Sequence, residues 1–310
     1  MSDVTDTVFR QIIAKYGKPD VFFTEFISVS GLISSNQDKV AQHLLFSKKE
    51  KPIVAQVWGT KPEHFYQSAK LIKKLGFDGI DINMGCPERA VIKQGAGAAL
   101  IEKPKLAIKI IEETKRAVGK FPVSIKTRLN RDSNSTVKWI KTLLKTTPAA
   151  LTLHGRTSKQ TYQVPADWSS ITRAVKIRNQ LKSPTLIIGN GDIKSLAEAK
   201  LCAEKTGVDG VMVGRAVMGN PWFFNPRTDL ENIAVDERLR VLIEHAALFI
   251  KFYKESKNFN ILKKFFCAYV TGFTGAKELR SNLMHTSNIT QATRQIDCFI
   301  KKRGKISWLG

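Results

Sequence analysis

Acidic residues are scarce in this chain. Only 27 Asp plus Glu stand against 50 Lys plus Arg in 310 residues, a formal charge of +23. An imbalance of that size argues for a polyanionic partner, with nucleic acid the first candidate. Long apolar runs are also missing: none approaches the roughly 20 residues that span a bilayer. No basic-then-apolar leader precedes the first helical segment, so no membrane association or secretion is expected. The four cysteines, Cys86, Cys202, Cys267 and Cys298, form no C-x-x-C pair. That pattern suggests neither a zinc site nor a disulfide framework, and a cytoplasmic chain with reduced thiols is the expectation. The histidines lack metal-ligand spacing, so no metal is expected. No G-x-G-x-x-G follows the first strand-like run, which weakens a doubly wound dinucleotide-binding sheet, the main rival fold.

What is present is an alternation. Short β-branched or aromatic runs at 21–27, 52–58, 79–83, 122–129, 149–154, 184–189 and 210–213 read as buried parallel strands. Helical patterns lie between them, most clearly at 63–75, 104–118, 136–145 and 195–205. Pro62 and Pro104 sit where first-turn prolines belong, and Asp192 and Ser195 can start a helix. A helix at 5–16 comes first, with no strand before it. Seven strands behind an orphan helix predict an α/β fold, a (β/α)8 TIM barrel whose first strand is missing. After 221 the pattern becomes purely helical. The expected division is a catalytic barrel at 1–221, a linker at 222–235 and a small all-helical domain at 236–310. Leu239, Leu242, Ile243, Ala246, Ala247 and Ile250 form one apolar stripe of that domain, and Phe265, Phe266, Tyr269 and Val270 begin another. Its polar faces are basic, and Lys301, Lys302, Arg303 and Lys305 lie near the chain end.

Chemistry in such a barrel sits at the C-terminal strand ends. Read in order, these ends carry Glu25, Gln56, Asn83 with Cys86, Lys126 with Arg128, His154 with Arg156, Asn190-Gly191-Asp192, and Gly214-Arg215. The last two groups suggest a phosphate site made of glycine amides and helix starts, or else ordinary glycine turns. Lys126, inside a strand, would suit negative charge developing on a bound ring. Cys86, in Asp81-Ile-Asn-Met-Gly-Cys86-Pro87, can be a structural thiol, a nucleophile or a general acid. A free thiol keeps its proton at neutral pH, and no histidine signature marks it as a nucleophile.

Taken together, these segments resemble the tRNA-dihydrouridine synthases of the bacterial type. The resemblance rests on the Cys86 motif continuing through Glu88-Arg-Ala-Val91 to Gly95-Ala-Gly-Ala-Ala-Leu100. It rests also on Val4-Thr-Asp-x-x-Phe-Arg10, Thr24-Glu-Phe-Ile-Ser28, Val123-x-Ile-Lys-Thr-Arg128 and Leu153-His-Gly-Arg-Thr157. Further on, Gly189-Asn-Gly-Asp-Ile193, Val213-Gly-Arg-Ala-x-Met-Gly-Asn-Pro-Trp222 and Gly272-Phe-Thr-Gly-Ala-Lys-Glu-Leu-Arg280 complete the ordered set. The resemblance implies an FMN-dependent oxidoreductase, with NADPH or NADH as hydride donor, that reduces the C5=C6 bond of uridines in tRNA. It implies flavin contacts from Met1, Gln56, Lys126, His154, Asn190, Gly191, Asp192, Gly214 and Arg215. Cys86 would be the proton donor, and Asn83, Arg128 and Arg156 would bind substrate. A monomer with tRNA as its partner is expected.

One departure stands out. The family begins with a strand ending in Ala-Pro-Met, and here Met1 takes the place of that methionine. A barrel short of one strand exposes the edges of two neighbours, so poor stability or weak flavin retention is expected. Two other functions remain to be separated from this one. A dihydroorotate-dehydrogenase-like flavin barrel would have no need of a basic helical tail. A non-catalytic RNA-binding barrel would have no need of the rim residues.

Overall fold

The computed structural model describes residues 4–35 and 40–306, with side chains through 303. Met1 and the Lys305 side chain, both named above, lie outside what is described. The chain divides into two compact units, one of residues 1–7 and 20–214 and the other of residues 8–19 and 215–310. The opening helix, α1 (Thr7–Tyr16), lies almost wholly in the second.

In the first unit the β-branched runs form parallel strands in chain order. These are β1 (Phe22–Phe23), β2 (Ile27–Ser28), β3 (Ile53–Trp58), β4 (Gly79–Met84), β5 (Val123–Leu129), β6 (Ala150–Thr157), β7 (Leu186–Asn190) and β8 (Gly210–Met212). β1 and β2 are two pieces of the strand expected at 21–27, and both pair with β3. Between them Thr24 turns its hydroxyl to accept the Gln56 backbone N–H at 3.0 Å. From β3 to β8 each strand pairs with the next. Every residue of β4 is buried, Asp81 and Asn83 included, and both polar side chains are hydrogen-bonded.

Helices return the chain between strands: α2 (Val29–Leu32), α3 (Pro62–Lys74), α4 (Arg89–Lys93), α5 (Pro104–Val118), α6 (Ser133–Leu144), α7 (Trp168–Gln180) and α8 (Leu196–Thr206). Pro62 and Pro104 occupy first turns as expected, and Asp132, Asp167 and Ser195 cap α6, α7 and α8 by accepting backbone N–H bonds. Asp192 is not the cap residue of α8: its φ is +55°, and its carboxylate accepts from Ala166 N and from Arg156. Among the described residues β1 and β8 do not pair. The sheet is therefore a curled parallel α/β half-barrel, open where one more strand would close it, as the alternation predicts.

The second unit is helical: α1 joins α9 (Val235–Tyr253), α10 (Lys263–Tyr269), α11 (Ala276–Met284) and α12 (Ile289–Ile306). Val8, Phe9, Ile12 and Ile13 of α1 are all buried. Phe9 stacks on Phe265 with ring centroids 5.5 Å apart, and Lys15 and Tyr16 both donate to the Glu244 carboxylate, at 2.6 and 2.5 Å. The buried stripe of α9 runs through Leu239, Leu242, His245, Ala246 and Phe249, whereas Ala247 is exposed. No described helix is long and apolar enough to cross a membrane.

Candidate active site

Parallel register brings the polar strand ends together. Asn83 lies opposite Lys126, Arg128 opposite His154, and His154 opposite Asn190. Of the residues expected at the site, Gln56, Asn83, Cys86, Lys126, Arg128, His154, Arg156, Asn190, Gly191 and Asp192 all fall on this rim or its loops. Gly214 ends the first unit, just past β8, and Arg215 begins the second within a single 3-10 turn, Arg215–Val217, rather than a full helix.

Three groups of contacts organise the rim. In the first, Ser124 Oγ donates to Asp81 Oδ1 at 2.6 Å and Gln56 Nε2 donates to Asp81 Oδ2 at 2.7 Å. Asn83 Nδ2 then donates to Gln56 Oε1 at 3.0 Å, and Asn83 Oδ1 accepts the N–H groups of Gly85 and Cys86 at 3.1 and 2.9 Å. Neither Asp81 nor Ser124 stood among the expected site residues. Their signal was a carboxylate and a hydroxyl inside otherwise apolar strands. Burial pushes the Asp81 carboxyl up, opposed by those two hydrogen bonds and by the Lys126 charge.

In the second group, Lys126 Nζ donates to Asn190 Oδ1 at 3.1 Å, and Asn190 Nδ2 donates to Met212 O at 2.8 Å. Burial, reinforced by the Arg128 charge, pulls the Lys126 ammonium down to about 8. In the third, Arg156 is 2% exposed and four of its five guanidinium N–H groups are engaged. It donates to Val164 O, to Tyr162 O, to the Asp192 carboxylate and to His154 Nε2. A guanidinium only donates, so His154 Nε2 accepts and the imidazole proton sits on Nδ1. Burial, followed by the Lys126, Arg128 and Arg156 charges, holds His154 neutral, down at about 3.

Cys86 is half-buried in the loop after β4. Its carbonyl accepts Ala98 N at 3.0 Å, and a Cβ at Gly97 would come within 2.7 Å of that oxygen, so only glycine fits there. Arg128 braces the same loop: Nε donates to Gly85 O at 2.9 Å and Nη1 to Thr157 O at 3.0 Å. Burial pushes the Cys86 thiol up, so at neutral pH it holds its proton.

The donor set fits an anionic, planar, hydrogen-bonding cofactor such as FMN. Lys126 uses one of its three N–H groups on Asn190 and keeps the others for an acceptor. His154 is neutral and carries a proton on Nδ1. Gly191 (φ +134°) leaves bare backbone where a Cβ would come within 2.6 Å of Ala166 and 3.3 Å of His154.

Fold and site together define an enzyme of the parallel α/β-barrel class, with a protonated thiol and a half-buried lysine at the strand ends. Comparison with known proteins agrees on the fold and sharpens the class. The structure of a 2-naphthoyl-CoA reductase complex superposes with a TM-score of 0.54 at 12% identity, covering 72% of this chain and 46% of that one, and a variant of NCR from Zymomonas mobilis with 0.50 at 17%, covering 76% and 85%. At such identities the likeness concerns the fold alone. The family model "Dihydrouridine synthase (Dus)" matches residues 1–303. A probable tRNA-dihydrouridine synthase of Staphylococcus aureus (strain COL) is 40% identical over 304 residues, 96% of this chain and 91% of its own length. Probable tRNA-dihydrouridine synthase 2 of Bacillus subtilis (strain 168) is 39% identical over 97% of this chain and 93% of its own. The chain belongs to the dihydrouridine synthase family.

Proposed function

We propose that this chain reduces the C5=C6 bond of uridines in tRNA to 5,6-dihydrouridine, with FMN as cofactor, NADPH or NADH as the hydride source and Cys86 as the proton donor. The observation that carries this reading is the Cys86 thiol itself. It is held protonated by burial on a rim loop whose backbone is fixed by Asn83 and Arg128.

The hydride for C6 of the uracil would come from the reduced FMN that the rim residues hold when it is bound. The C5=C6 electron pair then moves to C5, as an enolate conjugated with the C4 carbonyl. Cys86 gives its proton to C5 and is left as a thiolate, which the Arg128 and Lys126 charges stabilise. Lys126, His154, Asn190, Gly191, Asp192 and Gln56 would hold the flavin, with Gly214 and Arg215 contributing backbone and charge. Lys126 offers a positive charge to an anionic ring. Asn83 lies beside Cys86 and orients the loop that meets the base. Arg128 retains free N–H groups for substrate. Arg156 spends four N–H groups on protein acceptors, positions His154 and Asp192, and keeps one Nη1–H for substrate. The target uridine must leave its stack to reach this rim. The +23 charge supplies salt-sensitive affinity for RNA phosphates. The basic helical unit, read from sequence as 236–310, would provide part of it, in a monomeric cytoplasmic enzyme.

The test is dihydrouridine content by mass spectrometry after unmodified tRNA is incubated with the chain, FMN and NADPH. A gain of two hydrogens at a uridine supports the reading, and no gain in tRNA with flavin bound refutes it. Loss of that gain in Cys86→Ala would identify the acid.

A further inference from the structure

The hydrogen bonds around Asp81 have a direction, and both ends of the run dictate it. At one end, the backbone N–H groups of Gly85 and Cys86 can only donate, so Asn83 must face them with Oδ1. Its Nδ2 then points to Gln56, which must answer with Oε1 and so turn Nε2 towards Asp81. At the other end, the carboxylate accepts Nε2 on one oxygen and the Ser124 hydroxyl on the other. Asp81 is 0% exposed, Asn83 6% and Gln56 8%, so water offers these amides little alternative. A buried amide turned the wrong way would set donor against donor and leave polar groups unsatisfied.

We propose that Asp81 is a positioning residue: its carboxylate sets the direction of a relay through Gln56 and Asn83 that ends on the backbone of Cys86. The role given to Cys86 rests on the function proposed above. The relay itself stands on geometry alone. Asp81 reaches neither thiol nor substrate and acts by holding two amides in one orientation, and with them the loop that presents the thiol. Gln56 is then at once a rim residue and the middle link. Ser124 occupies the second carboxylate oxygen.

Alkylation of Cys86 by iodoacetamide, followed at the Cys86 peptide by mass spectrometry on the full chain, reads the relay without needing tRNA. The peptides of Cys202, Cys267 and Cys298 serve as internal references. In Asp81→Ala and Gln56→Leu the loop loses its anchor, and Cys86 should react about fivefold faster than in the parent, the scale of one lost hydrogen bond, with the other cysteines unchanged. Asp81→Asn should restore the parent rate, because a carboxamide can still accept from Gln56 and donate to Ser124. If Asp81→Ala does not fold, Gln56→Leu, close in volume, decides alone. A parent rate at Cys86 in the folded variants, or Asp81→Asn reacting as fast as Asp81→Ala, overturns the proposal. In turnover, Asp81→Ala should lower kcat with KM for tRNA kept, and Asp81→Asn should recover it. A parent chain that makes no dihydrouridine would remove the function proposed above, while the alkylation rates would still decide the relay.

Discussion

In the sheet unit, Ser124, Asp81, Gln56 and Asn83 pass hydrogen bonds from one buried side chain to the next. In the helical unit, both ring nitrogens of His245 and the Tyr269 hydroxyl are buried with no protein partner among the described residues. His245 sits instead against aromatic rings, 4.5 Å from Phe265 and 5.9 Å from Phe9 between centroids. The same kinds of group thus do opposite things. On the rim they fix orientation, and the network repays their desolvation. Among the helices they fill space, and the missing partners cost stability. Substitutions on the rim should therefore change chemistry more than melting temperature, and substitutions in the helical core the reverse.

The largest effect should come from Cys86→Ala. Loss of a general acid should slow dihydrouridine formation by roughly 10²–10⁴-fold, with little change in melting temperature. A comparable fall in melting would break the contrast between the units.

Next comes the lysine. Its ammonium is held down to about 8 and is charged below that value, so FMN affinity should weaken as pH rises through about 8. Flavin titrations from pH 7 to 9 would show it. Lys126→Met should bind FMN weakly and without this pH dependence.

In the helical unit the prediction concerns acid stability. Burial depresses His245 to about 3 in the folded chain, below the ordinary value of 6.5. Between those values the unfolded chain takes up a proton that the folded chain refuses, so stability falls as pH drops below about 6.5. The loss at pH 5 should be about 2 kcal/mol, and His245→Phe should flatten the melting profile between pH 7 and 5 with activity at pH 7 retained. An unchanged slope in the variant would mean that His245 has found a hydrogen-bonding partner, such as buried water.

The smallest effect is expected at Glu244→Gln. Its contacts with Lys15 and Tyr16 are partly exposed, so the cost should stay within about 1 kcal/mol by denaturant melting.

The barrel was legible because parallel strands buried on both faces write themselves as short β-branched runs, and register then places their polar last residues side by side. Gln56, Asn83, Lys126 and His154 could be named on that ground alone. Asp81 was visible inside its motif, but its role depends on the neighbour across the strand, Ser124, which periodicity does not reveal. Arg156 was named for substrate, and the sequence does not show that the loop carbonyls of Tyr162 and Val164 also fold back onto it. α7 was not among the helices picked out by pattern, although Asp167 caps it. The α9 stripe was drawn through Ala247, which is exposed, and skipped His245, because a polar letter does not look like core. The allegiance of α1 was hidden for a more general reason: an amphipathic face announces that it will be covered but not by what.

That last point has a consequence for synthesis. The helical unit is assembled from two stretches far apart in sequence, 8–19 and 215–310, with residues 20–214 of the sheet unit between them. α1 is translated before the strands β1 to β8, yet Phe265 and Glu244, which it packs against and bonds to, are translated after them. Its apolar face must stay uncovered while the sheet is made. The nascent chain therefore carries a sticky amphipathic segment that is a natural client for a chaperone, and any release before α10 emerges would strand it.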